Sequence, residues 1–434
     1  MRICASLGLL YDLSEEYDAD LIEIRLDILD HVPEIGDKEA IVTFREDFDS
    51  SKLPEGYRGI IDIGEAELPE TGLRTISSIH DYDKTPSESE ISVSLNAMRS
   101  DISKGAYSVR DFRDLKNILK ASKKVTRNHV ILGMGEMGEI TRIRQKTLGN
   151  LFTFAYVSEP TAPGQLSLKE MGRLDDDSII TGVTGDPLDK SKSPDMHNAA
   201  FAKSGISGRY LKFPSPSLDF IGECIRGYDV RGLNVTIPYK ELIIPYLDEI
   251  DGDAKEAGAV NTIVNNYGVL KGYNTDIDGI ERSLELAGCP LKGKNVLIMG
   301  SGGASRAGIV AAKRNGSKVS VTGRNEETLS LLSSEFDVKS LKEGSSISEF
   351  DIILNATPIG MYGEGTYPAD ITELRKDQTI LDMVYGSDTP LIRNASRAGC
   401  RIATGEDMLA MQGARSFELW TGRKEMFETM RSCL

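Results

Sequence analysis

The sequence predicts an α/β chain, with a (β/α)8 barrel first and a doubly wound fold second, from three observations. Eight short β-rich runs fill the first 157 residues, strands and helices alternate at longer spacing from about residue 178, and a glycine-rich turn joins a strand to a helix at residues 300–305. The eight runs are RICASL, LIEIRLD, AIVTFR, GIIDIG, RTISSIH, DISKGAYS, HVILGMG and LFTFAYV. Several are apolar on both faces, as a parallel sheet covered by helices requires, and RDFRDLKNILKASKK reads as one of the covering helices. The connections after the second, third and fourth runs are too short for full helices, so the barrel is expected to be a shortened one.

The polar stretch KEMGRLDDDS at residues 169–178 is the expected boundary. Beyond it, SIITGVTG leads into SPDMHNAAFAKSG, and KNVLIMG leads through GSGGAS into ASRAGIVAAKRNG and KVSVTGRN. A strand, a glycine turn, a helix and a second strand in that order form a dinucleotide-binding unit. The backbone N–H groups of Gly300, Ser301, Gly302, Gly303 and Ala304 are placed to receive a pyrophosphate at the helix N-terminus. At the end of the next strand, Arg324 and Asn325 stand where an NAD enzyme is expected to carry an acid against the ribose 2′-hydroxyl. A guanidinium fork suits a 2′-phosphate, so the expected cofactor is NADP.

Composition narrows the partners. The 434 residues carry 51 Lys and Arg against 67 Asp and Glu, a net charge of −16 without a basic footprint for nucleic acid. No stretch reads as a targeting or membrane-spanning segment. Five scattered cysteines without metal spacing fit reduced thiols in the cytoplasm and no metal site. Small-molecule substrates are therefore expected, with a homodimer as the candidate assembly.

Polar residues gather at strand ends. GLNVTIPYKE supplies Asn234, Thr236 and Lys240, AGAVNT supplies Asn261, and YNTDIDG supplies Asp276. Taken singly, Asn261 could satisfy a turn and Asp276 could cap the helix that follows it. Together, a lysine and an aspartate in one cleft can share the proton that a carbonyl reduction requires. In the barrel, IEIRLD places Glu23, Arg25 and Asp27 on one strand face, SSIHDYDKTP ends a strand with His80, and SDISKGA centres Lys104 in a strand. A lysine near pKa 10.4 is neutral in only about one molecule in 2,500 at pH 7, so attack on a carbonyl needs desolvation or nearby cations. The alternative is a snorkelling or paired lysine, although Asp101 points to the opposite strand face.

From about residue 178 the chain resembles shikimate dehydrogenase, through GDPLDKSKSPDMHNAAF, GLNVTIPYKE, GAVNT, GYNTDIDG, the glycine turn, DMVY and MLAMQGARSFELWTG. The resemblance implies that Ser191 and Ser193 bind the substrate carboxylate, with Asn234, Thr236, Asn261, Asp276 and Gln412 around its ring and hydroxyls. It makes Lys240 and Asp276 the catalytic pair and puts Tyr385 and Gly405 by substrate and nicotinamide. This sequence departs from the pattern at Lys190, usually His, and Gly323, usually Asn.

The first 170 residues resemble type I 3-dehydroquinate dehydratase, through IEIRLD, TFR, SSIHDYDKTP, SDISKGA, MGEMGEITR and TAPGQ. Lys104 is then the Schiff-base lysine and His80 the general base and acid. The resemblance also implies that Ser6, Glu23, Arg25, Arg45, Arg142, Thr161 and Gln165 bind substrate. An alignment placing Arg110 at the nucleophile position is rejected, because Lys104 brings Asp101, Ala106 and Asp114 into register as well. The sequence departs from the pattern in EDFDS after FR and in the alanine after Thr161.

The resulting expectation is a barrel fused to a two-domain α/β dehydrogenase with a Rossmann NADP-binding domain. The barrel spans 1–172, the substrate-binding domain 178–277 completed by 405–434, and the NADP domain 278–404. Two rivals remain: an NAD-dependent quinate/shikimate dehydrogenase, and a barrel that serves only as a ligand-binding or scaffolding module.

Overall fold

The computed structural model describes residues 1–8, 18–29, 31–33, 38–45, 48–361, 365–386 and 388–434. They form two compact units, one of residues 1–188 and 206–230, the other of 189–205 and 231–434. The first unit thus extends past the 169–178 stretch and includes two segments of the dehydrogenase half. No helix among the described residues is long and apolar enough to cross a membrane.

All eight expected barrel strands form: β1 Ile3–Leu7, β2 Leu21–Arg25, β3 Ala40–Thr43, β4 Ile60–Asp62, β5 Arg74–Asp81, β6 Ile102–Ser108, β7 His129–Met134 and β8 Thr153–Tyr156. They pair in parallel in the order β7-β6-β5-β4-β3-β2-β1-β8. The seam between β7 and the approach to β8 is bridged by the buried Asn150 side chain, which accepts from the Ile131 N–H (2.7 Å) and donates to the Ile131 carbonyl (2.9 Å). As the short connections predict, the described parts of the loops after β2, β3 and β4 contain no α-helix, only a single 3-10 turn at Ser50–Lys52. Real helices follow β5 (Glu88–Ala97, closed by a Ser87/Glu90 capping box) and β6 (Phe112–Ser122, capped by Asp111).

Strand alternation sorts the barrel interior into layers. Cys4, Leu21, Ile41, Ile60, Ile76, Ile102, Val130 and Phe154 pack as an apolar floor. Two residues further along their strands come Ser6, Glu23, Thr43, Asp62, Ser78 and Lys104, a polar layer on that floor. The out-facing Ile22, Ile24, Val42, Ile61 and Ile63 belong to a separate apolar cluster.

Also in the first unit, β9 Ile179–Gly185 and β10 Gly208–Pro214 pair in parallel. Buried Arg144 ties their flanks to the barrel by donating to the carbonyls of Tyr228 (2.8 Å), Asp229 (2.8 Å), Ser178 (3.1 Å) and Asp176 (2.5 Å). Tyr228 Oη in turn donates to the Leu115 carbonyl at 2.8 Å, on the Phe112–Ser122 helix.

In the second unit, β11 Val230–Val235, β13 Thr262–Asn266 and β14 Val269–Tyr273 are antiparallel neighbours, and β12 Glu249–Ile250 lies parallel to β14. The nucleotide portion is an all-parallel sheet of β15 Asn295–Met299, β16 Lys318–Thr322, β17 Lys339–Ser340, β18 Ile352–Asn355, β19 Thr379–Asp382 and β20 Arg401–Ala403. Its order, β17-β16-β15-β18-β19-β20, is the doubly wound 3-2-1-4-5-6 arrangement, with a separate apolar cluster for each face.

Candidate active sites

The barrel site is built on the polar layer. Lys104 is 4% exposed, and its Nζ lies 2.9 Å from Asp62 Oδ2, 3.8 Å from Glu23 Oε1 and 4.4 Å above the Phe154 ring. It is therefore a paired lysine, but its partner is Asp62, 42 residues away. Asp101 does point elsewhere, accepting from the Thr75 N–H and hydroxyl. Burial pushes the Asp62 carboxyl up, but Lys104 and the Ser78 hydroxyl (2.7 Å) override it and hold it below the usual carboxylate range. Asp62 is the residue the sequence reading missed. Its one local sign is a lone carboxylate at an inward position of an otherwise apolar strand. Asp62→Asn is expected to cost on the order of 3 kcal/mol of first-unit stability by stranding a buried ammonium. Adding Lys104→Met should recover most of that loss in urea unfolding, whereas additive losses would refute the pairing.

Glu23 accepts from Ser6 (2.6 Å) and Thr43 (3.1 Å), so Ser6, fully buried, orients Glu23. Above this layer sit Arg25, Arg45 and His80. Arg25 chelates Asp27 through two nitrogens and donates to the Thr161 carbonyl at 2.7 Å. Arg45 Nη1 lies 2.7 Å from His80 Nδ1. Burial first, then the cations of Lys104 and Arg45, push the His80 imidazole down to about 2, so it stands neutral.

Arg142 is 2% exposed and donates to the carbonyls of Gly164 (2.9 Å) and Pro163 (3.4 Å). Among the described residues it has no ion-pair partner, and burial pushes it down to about 10. Gln165 Oε1 accepts from the N–H (2.7 Å) and hydroxyl (3.0 Å) of Thr161. The loop carrying Thr161 and Gln165 is thereby held over the strand ends. Glu46 and Asp47 of the divergent EDFDS stretch lie outside the described residues.

In the second unit, Lys240 Nζ donates to Asp276 Oδ2 at 2.5 Å and Asn261 Nδ2 to Asp276 Oδ1 at 2.8 Å. Asp276 opens the Asp276–Leu286 helix as its first residue, after Thr275 at the cap position, and makes no side-chain cap bond. Its carboxylate belongs to Lys240. Asn261 also does the turn-satisfying job, accepting from the Thr275 N–H at 2.8 Å. Asn234 Nδ2 donates to Thr262 (3.1 Å) and Ser416 (3.0 Å), and Gln412 Oε1 accepts from Asn261 (3.3 Å). Ser416, Thr262 and Thr275 form a hydroxyl cluster behind the site; all three lie inside the quoted motifs, yet the motifs assigned none of them a role. Thr236 begins the turn after β11, Ser193 opens a helix with Ser191 just before it, and Tyr385 follows β19. A Cβ on Gly405 would fall 2.6 Å from the Val384 carbonyl, so only glycine lets that helix start so close to the end of β19.

The glycine turn fits a dinucleotide. The Gly303–Arg314 helix has no side-chain cap, so its first N–H groups are open to a phosphate. A Cβ on Gly303 would fall 2.9 Å from Lys240 Cβ, which places the turn directly beside Lys240. Gly300 holds φ at +121°, where a side chain is strained. Ser301 Oγ lies 3.1 Å from Thr328 Oγ1. Arg324 is exposed at the head of the next loop. Asn325 caps the Glu326–Phe336 helix through the Thr328 N–H (3.0 Å), so its side chain is already in use.

Comparison with known proteins matches this division of labour. Residues 183–263 match the shikimate dehydrogenase substrate binding domain and 405–431 the shikimate 5′-dehydrogenase C-terminal domain. A shikimate dehydrogenase (NADP(+)) of Methanococcus maripaludis is 39% identical over 275 residues, 60% of this chain and 98% of that protein. The chain belongs to the shikimate dehydrogenase family. In the N-terminal part, residues 62–174 match type I 3-dehydroquinase. A shikimate dehydrogenase (NADP(+)) of Halothermothrix orenii is 40% identical over 275 residues, 58% of this chain and 95% of that protein. The crystal structure of shikimate 5-dehydrogenase from Thermus thermophilus in complex with NADP(H) and shikimate superposes with a TM-score of 0.54 at 33% identity, over 59% of this chain and all of that one.

Proposed function

We propose a bifunctional enzyme of the shikimate pathway: the barrel dehydrates 3-dehydroquinate to 3-dehydroshikimate, and the dehydrogenase half reduces that product to shikimate with NADPH. The barrel function rests chiefly on one observation, an enclosed lysine amine with a neutral histidine on the neighbouring strand.

In the barrel, Lys104 passes a proton to Asp62 and bonds through Nζ to the ketone carbon; the ketone oxygen takes one proton from the amine and the one held by Asp62 and leaves as water, so the imine keeps one N–H and a positive charge. The cationic imine acidifies the adjacent C–H. His80 takes that proton, the C–H electron pair forms a carbon–carbon double bond and the C=N pair moves onto nitrogen, from where it pushes back to expel the hydroxyl. The imidazolium then protonates the departing hydroxyl, and hydrolysis of the imine frees the product. Arg142, a buried cation without an ion-pair partner among the described residues, is suited to the substrate carboxylate, with Thr161 and Gln165 beside it.

In the dehydrogenase half, Lys240 and Asp276 hold the proton destined for the developing alkoxide, Asn261 fixes the Asp276 carboxylate, and Asn234 and Gln412 line the ring site. Ser191 and Ser193 take the carboxylate in this reading, and Thr236, Tyr385 and Gly405 complete the site. Bound NADPH supplies a hydride to the carbonyl carbon. The N–H groups from Gly302 onward hold its pyrophosphate and Arg324 its 2′-phosphate. Arg324→Gln should raise KM for NADPH about tenfold or more while barely moving KM for NADH; equal effects on both would refute the role. We assign the barrel to 1–172, the substrate-binding domain to 178–277 with 405–434, and the NADP domain to 278–404. Five free cysteines support a reducing compartment such as the cytoplasm.

Borohydride reduction with 3-dehydroquinate, followed by peptide mass spectrometry, tests the barrel. An adduct on Lys104 is expected, and none would refute the dehydratase assignment.

A further inference from the structure

The contact between Arg45 and His80 has a chemical direction. A guanidinium is always protonated and has no acceptor, so across the 2.7 Å contact Arg45 Nη1–H donates and His80 Nδ1 accepts. The single N–H of the neutral ring is therefore on Nε2. In this state His80 cannot work as a base: Nε2 already carries a proton and the Nδ1 lone pair is occupied. Arg45 also has a buried Nε–H with no acceptor among the described residues. A hydroxylated, carboxylated substrate would offer oxygens to this underused fork.

We infer that Arg45 is a substrate-displaced clamp on the general base: an oxygen of the bound substrate draws Nη1–H off His80 Nδ1, and the freed lone pair takes the proton next to the imine. This rests on the dehydratase reading of the barrel. The clamp makes the base available only when a substrate is seated above Lys104, and Arg45 acts in the proton step as a positioning residue. Among the described residues, the charged and titratable groups facing His80 are Lys104, Arg45, Asp62 and Arg25, with Tyr82 stacked at 6.3 Å between ring centroids. Lys104 and burial keep the ring hard to protonate even without Arg45, so loss of the clamp moves its titration upward without restoring an ordinary histidine.

The test uses the full chain with 15N-labelled histidine, whose four imidazoles make long-range proton–nitrogen spectra simple to assign. Free wild-type protein should show His80 as the Nε2–H tautomer, unchanged from pH 8 to pH 5. After borohydride capture of 3-dehydroquinate on Lys104, the Nδ1 resonance should move as its hydrogen bond is lost. Arg45→Ala should show the free-enzyme Nδ1 resonance already moved and His80 titrating at least one pH unit higher, while Arg45→Lys, which can still donate, should return part of the way. A proton on Nδ1 in the free wild type, or an Arg45→Ala spectrum identical to it, would overturn the clamp. The adduct separates the two readings: without a Lys104 adduct in wild type the dehydratase reading fails, and with an adduct but an unmoved His80 only the clamp fails.

Discussion

Lys104→Ala should lower dehydration of 3-dehydroquinate by about 10⁴-fold or more, because Lys104 is the only buried lysine among the described residues and no second amine is placed to carry the covalent step. Reduction of 3-dehydroshikimate by NADPH should stay within about twofold of the parent, since Lys240 and Asp276 lie in the other compact unit. Steady-state assays of the two reactions on one preparation measure both. The truncation also leaves Asp62 and Glu23 facing each other without their cation, so the first unit should be less stable. The Lys104→Met/Asp62→Asn variant, which removes both partners, should fold better and be equally inactive. Substantial dehydration by either variant would show that the reaction does not pass through this lysine.

Asp276→Asn should lower kcat for the reduction by about 10²- to 10³-fold with a smaller effect on KM, as expected for a group that manages a proton in the transition state. Lys240 Nζ is bonded to the same carboxylate at 2.5 Å, so Lys240→Met should cost a similar factor, and the double variant should cost little more than either single one. Independent, multiplying losses would mean that the two residues do not act as a unit. Neither substitution should change the rate of dehydration.

Much of the fold was legible because local chemistry dictates it. Runs apolar on both faces became buried parallel strands, and the described parts of the three short connections carry no α-helix. The glycine turn and Arg324 stood out because a strand, a turn and a helix are contiguous in the chain. What the sequence could not display is pairing over distance. Asp62 and Lys104 meet only because β4, β5 and β6 are neighbours in the sheet. Arg144 reaches the Tyr228 carbonyl 84 residues away, so the compact units divide beyond the polar stretch that looked like a boundary. Asn325 shows the converse: next to Arg324 it read as a cofactor contact, and the fold adds that its side chain caps the helix starting at Glu326. Asp276 read equally well as a cap, and the reach of Lys240 decided otherwise.

The central claim is that one chain carries two consecutive reactions. Supplying only 3-dehydroquinate and NADPH, and following both absorbance at 340 nm and shikimate by chromatography, tests it directly. One NADPH should be oxidised for each shikimate formed. Oxidation with 3-dehydroshikimate but none with 3-dehydroquinate would contradict the account, leaving a working dehydrogenase joined to a barrel that does no chemistry on this substrate.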